Sequence, residues 1–258
     1  MANRKAPKIK TPKKVNDPES ETWNSTPWRK LEKHCFRIQK RIFRASQQGN
    51  QRAVQKLQKL LIKSEAARTL AVRRVTQDNQ GKKTAGIDGV KSLKPTQRLD
   101  LVKQIHPQQW PEKSYPVRRI YIPKPGKPEK RPLGIPVVVD RCLQAMIKNA
   151  LEPAWEARFE GSSYGFRPGR SCHDAIEKIY GLARPNKTKK WVLDADIRGA
   201  FATISHDYLL KTIGAVPGKE LIKQWPKAGY VEHATFHATE QETPQGGEAT
   251  PPTMLQKK

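Results

Sequence analysis

Residues 117–140 read VRRIYIPKPGKPEKRPLGIPVVVD. Val117, Ile120 and Ile122 give the first part strand character, PKPGKPEK is a basic turn in which proline and glycine stop any regular element, and LGIPVVV resumes an extended course. The segment therefore predicts two antiparallel strands joined by a lysine-bearing loop. Downstream, DRCLQAMIKNALEPAWEAR at 140–158 predicts a helix with Leu143, Met146, Ile147 and Ala150 on one face and Pro153 limiting its end. SYGFRPGRS is an irregular, glycine-rich connection into a helix over 172–182. WVLDADIRGAF at 191–201 reads as a buried strand ending in a turn, and HDYLLKTIG as a short helix. Such irregular mixing of strands and helices predicts an α+β fold rather than a doubly wound sheet.

Upstream the chain changes character. Residues 1–20, with KAPKIKTPKK at 5–14, carry almost no apolar side chains to offset the entropy of ordering, and 1–25 reads as a disordered basic tail. Thr26 as cap and Pro27 at the first helical position precede Leu31, Cys35, Ile38, Ile42 and Ala45 at helical spacing. QQGNQR breaks that helix, and Val54, Leu57, Leu61 and Leu70 predict a second one running to about 74. GKKTAGIDG then opens a turn-rich stretch, with a helix over 97–103.

The formal charge is +26 over 258 residues, and residues 1–75 hold 20 Lys plus Arg against 5 Asp plus Glu. Uncompensated cations at this density repel one another unless a polyanion is the partner, so nucleic acid leads and a membrane surface is the competing reading. No apolar run reaches the roughly 20 residues that span a bilayer, and MANRKAPKIK lacks an apolar signal core. The expected location is cytoplasmic, with no membrane partner. Cys35, Cys142 and Cys172 are scattered without the spacing of a zinc site or a disulfide framework, and read as reduced structural thiols.

Five blocks in order, AVRRVTQDNQGKKTAGIDGV, RRIYIPKPGKPEKRPLGIP, LEPAWEARFEGSSYGFRPGRSCHDAI, WVLDADIRGAF and TPQGG, resemble the group II intron reverse transcriptases and maturases, especially the cyanobacterial type. The likeness runs from 28 to 247. It implies polymerase fingers and a partial palm over 93–247, preceded at 26–92 by a helical extension that binds template or intron RNA, with a divergent tail at 248–258. Arg37, Arg41, Arg44, Arg73, Arg74, Lys82, Lys83, Arg118 and Arg119 are its implied RNA contacts.

Nucleotidyl transfer holds a triphosphate and neutralises developing charge with two metal ions clamped by carboxylates. By the resemblance, Lys124 and Arg131 grip the triphosphate, Arg167 lies near template and nucleotide, and Asp196 is the catalytic, Mg2+-binding carboxylate. Phe201 contacts the sugar, and Gln245 contacts the nucleotide. Each has a plainer alternative: a solvated hairpin tip for the first pair, an ordinary basic loop for Arg167, a turn or cap residue for Asp196.

Departures from the family bear on activity. The sequence has no adjacent pair of aspartates for the family's Tyr-X-Asp-Asp turn, EATPPTMLQKK stands where an apolar helix is expected, Ala202 replaces the usual aspartate after Phe201, and Pro226 interrupts a helical stretch. An interior proline costs a helix about 3 kcal/mol. The expectation is RNA binding without polymerisation. Intron or template RNA is the partner, with a DNA primer, a complementing polypeptide or self-association through an open palm edge as further partners. A stand-alone RNA-binding module is the alternative, and a basic structural protein such as a ribosomal component a more distant one.

Overall fold

A computed structural model describes residues 22–124, 126, 128–184, 191–197 and 204–239. Phe201, Gln245 and the tail 248–258 lie outside the described residues, as do residues 1–21; the expected disordered tail ends sooner than residue 25, because Trp23 is buried in the core and donates its indole N–H to the Gln77 side chain at 3.1 Å. The elements are α1 (Trp28–Gln47), α2 (Gln51–Lys63), α3 (Glu65–Arg73), α4 (Pro95–Gln104), β1 (Val117–Pro123), β2 (Lys130–Ile135), α5 (Val138–Glu156), α6 (Cys172–Ala183), α7 (His206–Ile213), α8 (Lys219–Lys227), β3 (Tyr230–Glu232) and β4 (Thr235–His237). The architecture is α+β, with a four-stranded sheet in the order β2-β1-β3-β4. β1 pairs antiparallel with β2 and parallel with β3, and β3 pairs antiparallel with β4.

The core forms around α5. Beyond the expected face of Leu143, Met146, Ile147 and Ala150, it buries Cys142, Ala145, Leu151, Ala154 and Trp155, because helices cover it on several sides. α1 contributes Cys35, Ile38, Ile42 and Ala45 to that cluster, and α2 contributes Val54, Leu61 and Ile62. No helix among the described residues is long and apolar enough to cross a membrane. Cys35 and Cys142 are buried and Cys172 is exposed; burial pushes the Cys35 thiol up to about 11.

Several expectations need correction. α5 begins at Val138 rather than Asp140, and it runs past Pro153 to Glu156. A proline has no N–H for the carbonyl four residues back, here that of Asn149. The Gln39 side chain from α1 donates to that carbonyl at 3.0 Å, and Ser46 Oγ donates to the Ala154 carbonyl at 2.8 Å, so the end of α5 is satisfied by α1. Pro226 is likewise held inside α8, near its end. At the start of α1 the Thr26 hydroxyl donates to the Thr22 carbonyl instead of capping, and Pro27 occupies the cap position. The second helix is two, since Ser64 is extended at φ −66°, ψ 128°; one stripe of Val54, Leu61 and Ile62 and another of Ala66, Ala67, Ala71 and Val72 read together as a single period. After α3 the chain continues as a π-helical turn, Arg74–Asp78.

The largest correction concerns residues 191–197. They form no strand and are exposed, Trp191 by 96% and Leu193 by 91%. A strand exists only against a neighbour that takes up its backbone bonds, and among the described residues no strand lies beside this segment.

Two consecutive residues in the first turn of α5 tie the parts together. The buried Arg141 guanidinium donates to the carbonyls of Pro136 (3.0 Å), Gly81 (3.0 Å) and Thr84 (2.7 Å), fastening the GKKTAGIDG loop to the junction of β2 and α5. Gly86 lies so close to that junction that a Cβ would stand 2.8 Å from the Pro136 oxygen and the Val137 Cα, which no side chain tolerates. Asp140 is buried as well. Its Oδ2 accepts from the Tyr115 backbone N–H at 3.2 Å, while the Trp225 indole N–H faces the carboxyl without closing a bond of good geometry.

Burial pushes the Asp140 carboxyl up to about 7, against the opposing pull of the Tyr115 and Trp225 donors. A folded-state pKa above the unfolded value means that the folded chain binds the extra proton, so this contribution is fully present below about pH 4 and is lost as pH rises toward 7. The urea midpoint is expected to fall between pH 5 and pH 8 in the parent chain, and Asp140→Asn is expected to remove most of that dependence.

Candidate nucleic-acid and nucleotide interface

Basic side chains divide between those facing solvent and those the fold consumes. On α1, Cys35, Ile38, Ile42 and Ala45 turn inward, which leaves Arg37, Arg41 and Arg44 exposed along the opposite side. The spacing of four and then three residues keeps these three on one face. Among the described residues no carboxylate lies within ion-pair distance of any of them. Lys30, Lys33 and Lys40 are exposed on the same helix.

Arg73 is placed differently. It bridges Glu32 at 3.1 Å and Asp78 at 3.5 Å, and its guanidinium lies 4.7 Å from the Trp28 ring centroid. Arg74 is exposed at the start of the π-helical turn, Lys82 donates through Nζ to the Gln77 carbonyl, and Lys83 is exposed. A count of positive charge does not separate these cases.

The β1–β2 ribbon carries two chemically distinct faces. The register pairs Ile122 with Arg131 and Arg118 with Ile135. Since successive side chains alternate, Arg118, Ile120, Ile122 and Lys124 share a face with Arg131. Lys124 and Arg131 thus project on one side. Lys124 Nζ bonds Glu129 Oε2 at 3.0 Å, so in this state its charge is partly answered. Arg131 is exposed, and the Arg118 Nε is buried without a hydrogen-bond partner.

On the other face the Arg119 guanidinium lies 4.0 Å from the Tyr230 ring centroid, and Tyr230 stacks on His237 at 4.8 Å with planes 14° apart. Tyr121 is exposed, and the neighbouring Glu232 carboxylate pushes its phenol upward. Gly229 makes this corner fit: a Cβ there would fall 2.6 Å from the Phe236 ring and from the His237 carbonyl oxygen. Neither Tyr230 nor His237 was singled out from the sequence. The alternating pattern YVE and TFH around two residues signals a hairpin, but His233 and Ala234 fill turn positions with φ of 46° and 65°, where asparagine and glycine are the usual cue.

Arg167 is buried. Its guanidinium forks onto Glu156 (Nη2 to Oε1 2.6 Å, Nε to Oε2 3.0 Å) and also donates to the Ser163 carbonyl at 2.8 Å. In this arrangement it braces the SYGFRPGRS loop against the end of α5. Asp194 and Asp196 stand on the exposed stretch 191–197. Among the described residues no three His, Cys, Asp or Glu side chains gather as a metal site, so the carboxylates as placed do not compose a two-metal centre.

Sequence comparison supplies the family. The model for the N-terminal domain of reverse transcriptase matches residues 23–105, and that for reverse transcriptase (RNA-dependent DNA polymerase) matches residues 122–256. The chain belongs to the group II intron-type reverse transcriptase family. It is 35% identical over 207 residues to Protein YkfC of Escherichia coli (strain K12), covering 77% of this chain and 54% of that protein. To the group II intron-encoded protein LtrA of Lactococcus lactis subsp. cremoris it is 37% identical over 187 residues, covering 67% of this chain and 29% of LtrA. Maturase-like protein 1 of Euglena gracilis is 30% identical over 190 residues, with 72% of this chain and 41% of that protein covered. The chain thus spans about half the length, or less, of these relatives.

Removing the buried half of the Arg167 pair leaves the Glu156 carboxylate and the Ser163 carbonyl without that donor. Arg167→Ala is expected to cost about 3 kcal/mol, near the lower end for a broken buried pair because Glu156 keeps some exposure. Urea unfolding checks this, and Arg167→Lys is expected to recover little, because an ammonium cannot reproduce the two-pronged contact.

Proposed function

We infer that this chain is an RNA-binding member of its family, and that the 258-residue polypeptide acts on intron or template RNA without synthesising DNA itself. The observation that carries the reading is the exposed row of Arg37, Arg41 and Arg44 on α1, which meets no carboxylate among the described residues and lies within the stretch that matches the family's N-terminal domain. Cations so placed neutralise phosphates and release their counterions, giving tight binding that weakens steeply with salt. Arg74 and Lys83 add to that charge, and Arg118 and Arg119 carry cations on the two opposite faces of β1. Arg73 and Lys82, whose charges are engaged within the fold, support it from beneath.

The remaining assignments follow the family. Residues 26–92 act as the RNA-binding extension and 93–247 as fingers and part of a palm. Lys124 and Arg131 receive the triphosphate once Glu129 releases Lys124, an exchange that costs little because an exposed ion pair contributes at most about 1 kcal/mol. Phe201 and Gln245 complete the nucleotide contacts by family position, and Arg167 positions the loop beside them. Mg2+ is the family's metal, with Asp196 as its ligand; one carried-over carboxylate is fewer than two-metal chemistry uses. A DNA primer and a complementing polypeptide are further partners in this reading.

Two measurements test it. Replacing Arg37, Arg41 and Arg44 together by alanine is expected to weaken binding of a structured RNA and to lower the slope of log K against log salt by about 2, given a loss of about 0.7–0.9 per phosphate contact. An unchanged slope sinks the assignment of this face. In primer extension on poly(rA)/oligo(dT) with magnesium, no incorporation is expected; incorporation abolished by Asp196→Ala would show that the polypeptide is a polymerase.

A further inference from the structure

We propose that the row of Arg119, Tyr230 and His237 is a stacking platform for an unpaired nucleobase, with the base seated on the outer face of the His237 ring. The proposal rests on the RNA-binding reading and adds where a single-stranded segment is held. It concerns the face of the sheet opposite Lys124 and Arg131, so it is separate from the triphosphate contacts.

The geometry comes from the register. Tyr230 and His237 are directly paired across β3 and β4, and Arg119 stands on β1, the strand on the other side of Tyr230. Side chains that stand off a sheet in adjacent strands form a row, here with a guanidinium 4.0 Å from one ring centroid and two near-parallel rings 4.8 Å apart. Arg119 fills the β1 side of Tyr230 and His237 fills the β4 side. Among the described residues the row stops at β4, the edge of the sheet. A flat ring held upright at an edge, in register with a stack behind it, offers one more place in that stack.

The chemistry of the place suits a nucleobase attached to a phosphate chain. Every base has a π-face, so stacking on an aromatic ring accepts any sequence, and an arginine in the row adds cation–π attraction. Lys130, exposed on the same face of β2, and a chain carrying +26 supply the charge that a backbone phosphate meets. A base in a duplex has no free face to offer, so the platform discriminates unpaired from paired RNA. The plainer account is a cross-strand aromatic pair that only stabilises the hairpin. That account predicts a loss of stability with no distinction between the two kinds of RNA.

The full chain is titrated with a short unpaired oligoribonucleotide carrying 2-aminopurine and, in parallel, with a blunt RNA duplex. Stacking is expected to change the 2-aminopurine fluorescence on binding. His237→Ala is expected to weaken the unpaired oligonucleotide about tenfold, within the range for one lost base–aromatic stack, and to leave duplex affinity and the salt slope unchanged. His237→Phe restores the loss. His237→Val, which removes the ring but keeps a strand-forming side chain, must behave like the alanine variant. Parental affinity for the unpaired strand in both ring-less variants, or an equal loss on both RNAs, overturns the platform alone. A parent chain that binds neither RNA overturns the RNA-binding reading with it.

Discussion

A single guanidinium, that of Arg141, is satisfied by three backbone carbonyls from two separate stretches of chain. Carbonyls at Gly81 and Thr84 belong to the loop that follows the N-terminal helices, and the carbonyl at Pro136 belongs to the passage from sheet to α5. Without this cation the Pro136 and Thr84 oxygens would lose their donor, a cost of about 1–3 kcal/mol for each that stays buried, while the Gly81 oxygen would keep the Thr84 backbone N–H at 3.0 Å. Asp140 beside it reaches the approach to β1 through Tyr115 and faces α8 through Trp225. Buried charge is seldom a net source of stability, and its service here is geometric: α5, the loop and the sheet are held in one mutual arrangement by the Arg141 donors and the Asp140–Tyr115 bond, with α8 packed against them through Trp225.

That arrangement sorts the positive charge. Arg141 and Arg167 are consumed inside, Arg73 is shared with Glu32, Asp78 and the Trp28 ring, and Arg37, Arg41 and Arg44 are left to solvent. The sheet repeats the division, with Lys124 and Arg131 on one face and Arg119 engaged with an aromatic pair on the other. In the proposed function, RNA meets first the cations of α1. The interior ones hold the surfaces on which these stand.

Much of this was legible before any coordinates. Helical spacing located α1 and α5, β-branched alternation located β1 and β2, and the ordered blocks gave the family. What stayed hidden depends on contacts distant in sequence. Pro153 reads as a stop until Gln39, 110 residues before Asn149, is seen to take the carbonyl that the proline leaves open. Ser64 divides one apparent apolar period into two helices, which a period alone does not record. Residues 191–197 read as a strand because their side chains are apolar, yet a strand is a relation between two segments. Arg167 shows the same limit: glycines around an arginine suggest an open ligand loop, whereas Glu156, eleven residues earlier, closes it.

The borrowed carbonyls at the end of α5 also determine how the N-terminal surface can behave as an object. Gln39 and Ser46 lie about two turns apart on α1, and both are fastened to α5. Slippage of α1 by one turn, about 5.4 Å, would break both fastenings at once. The arginines on its outer side are therefore graduations on a fixed scale, with Arg37 and Arg44 about 10 Å apart along the axis. A flexible polyanion laid against such a scale must adopt the spacing it finds there, so under the proposed function the conformational adjustment on binding falls to the RNA.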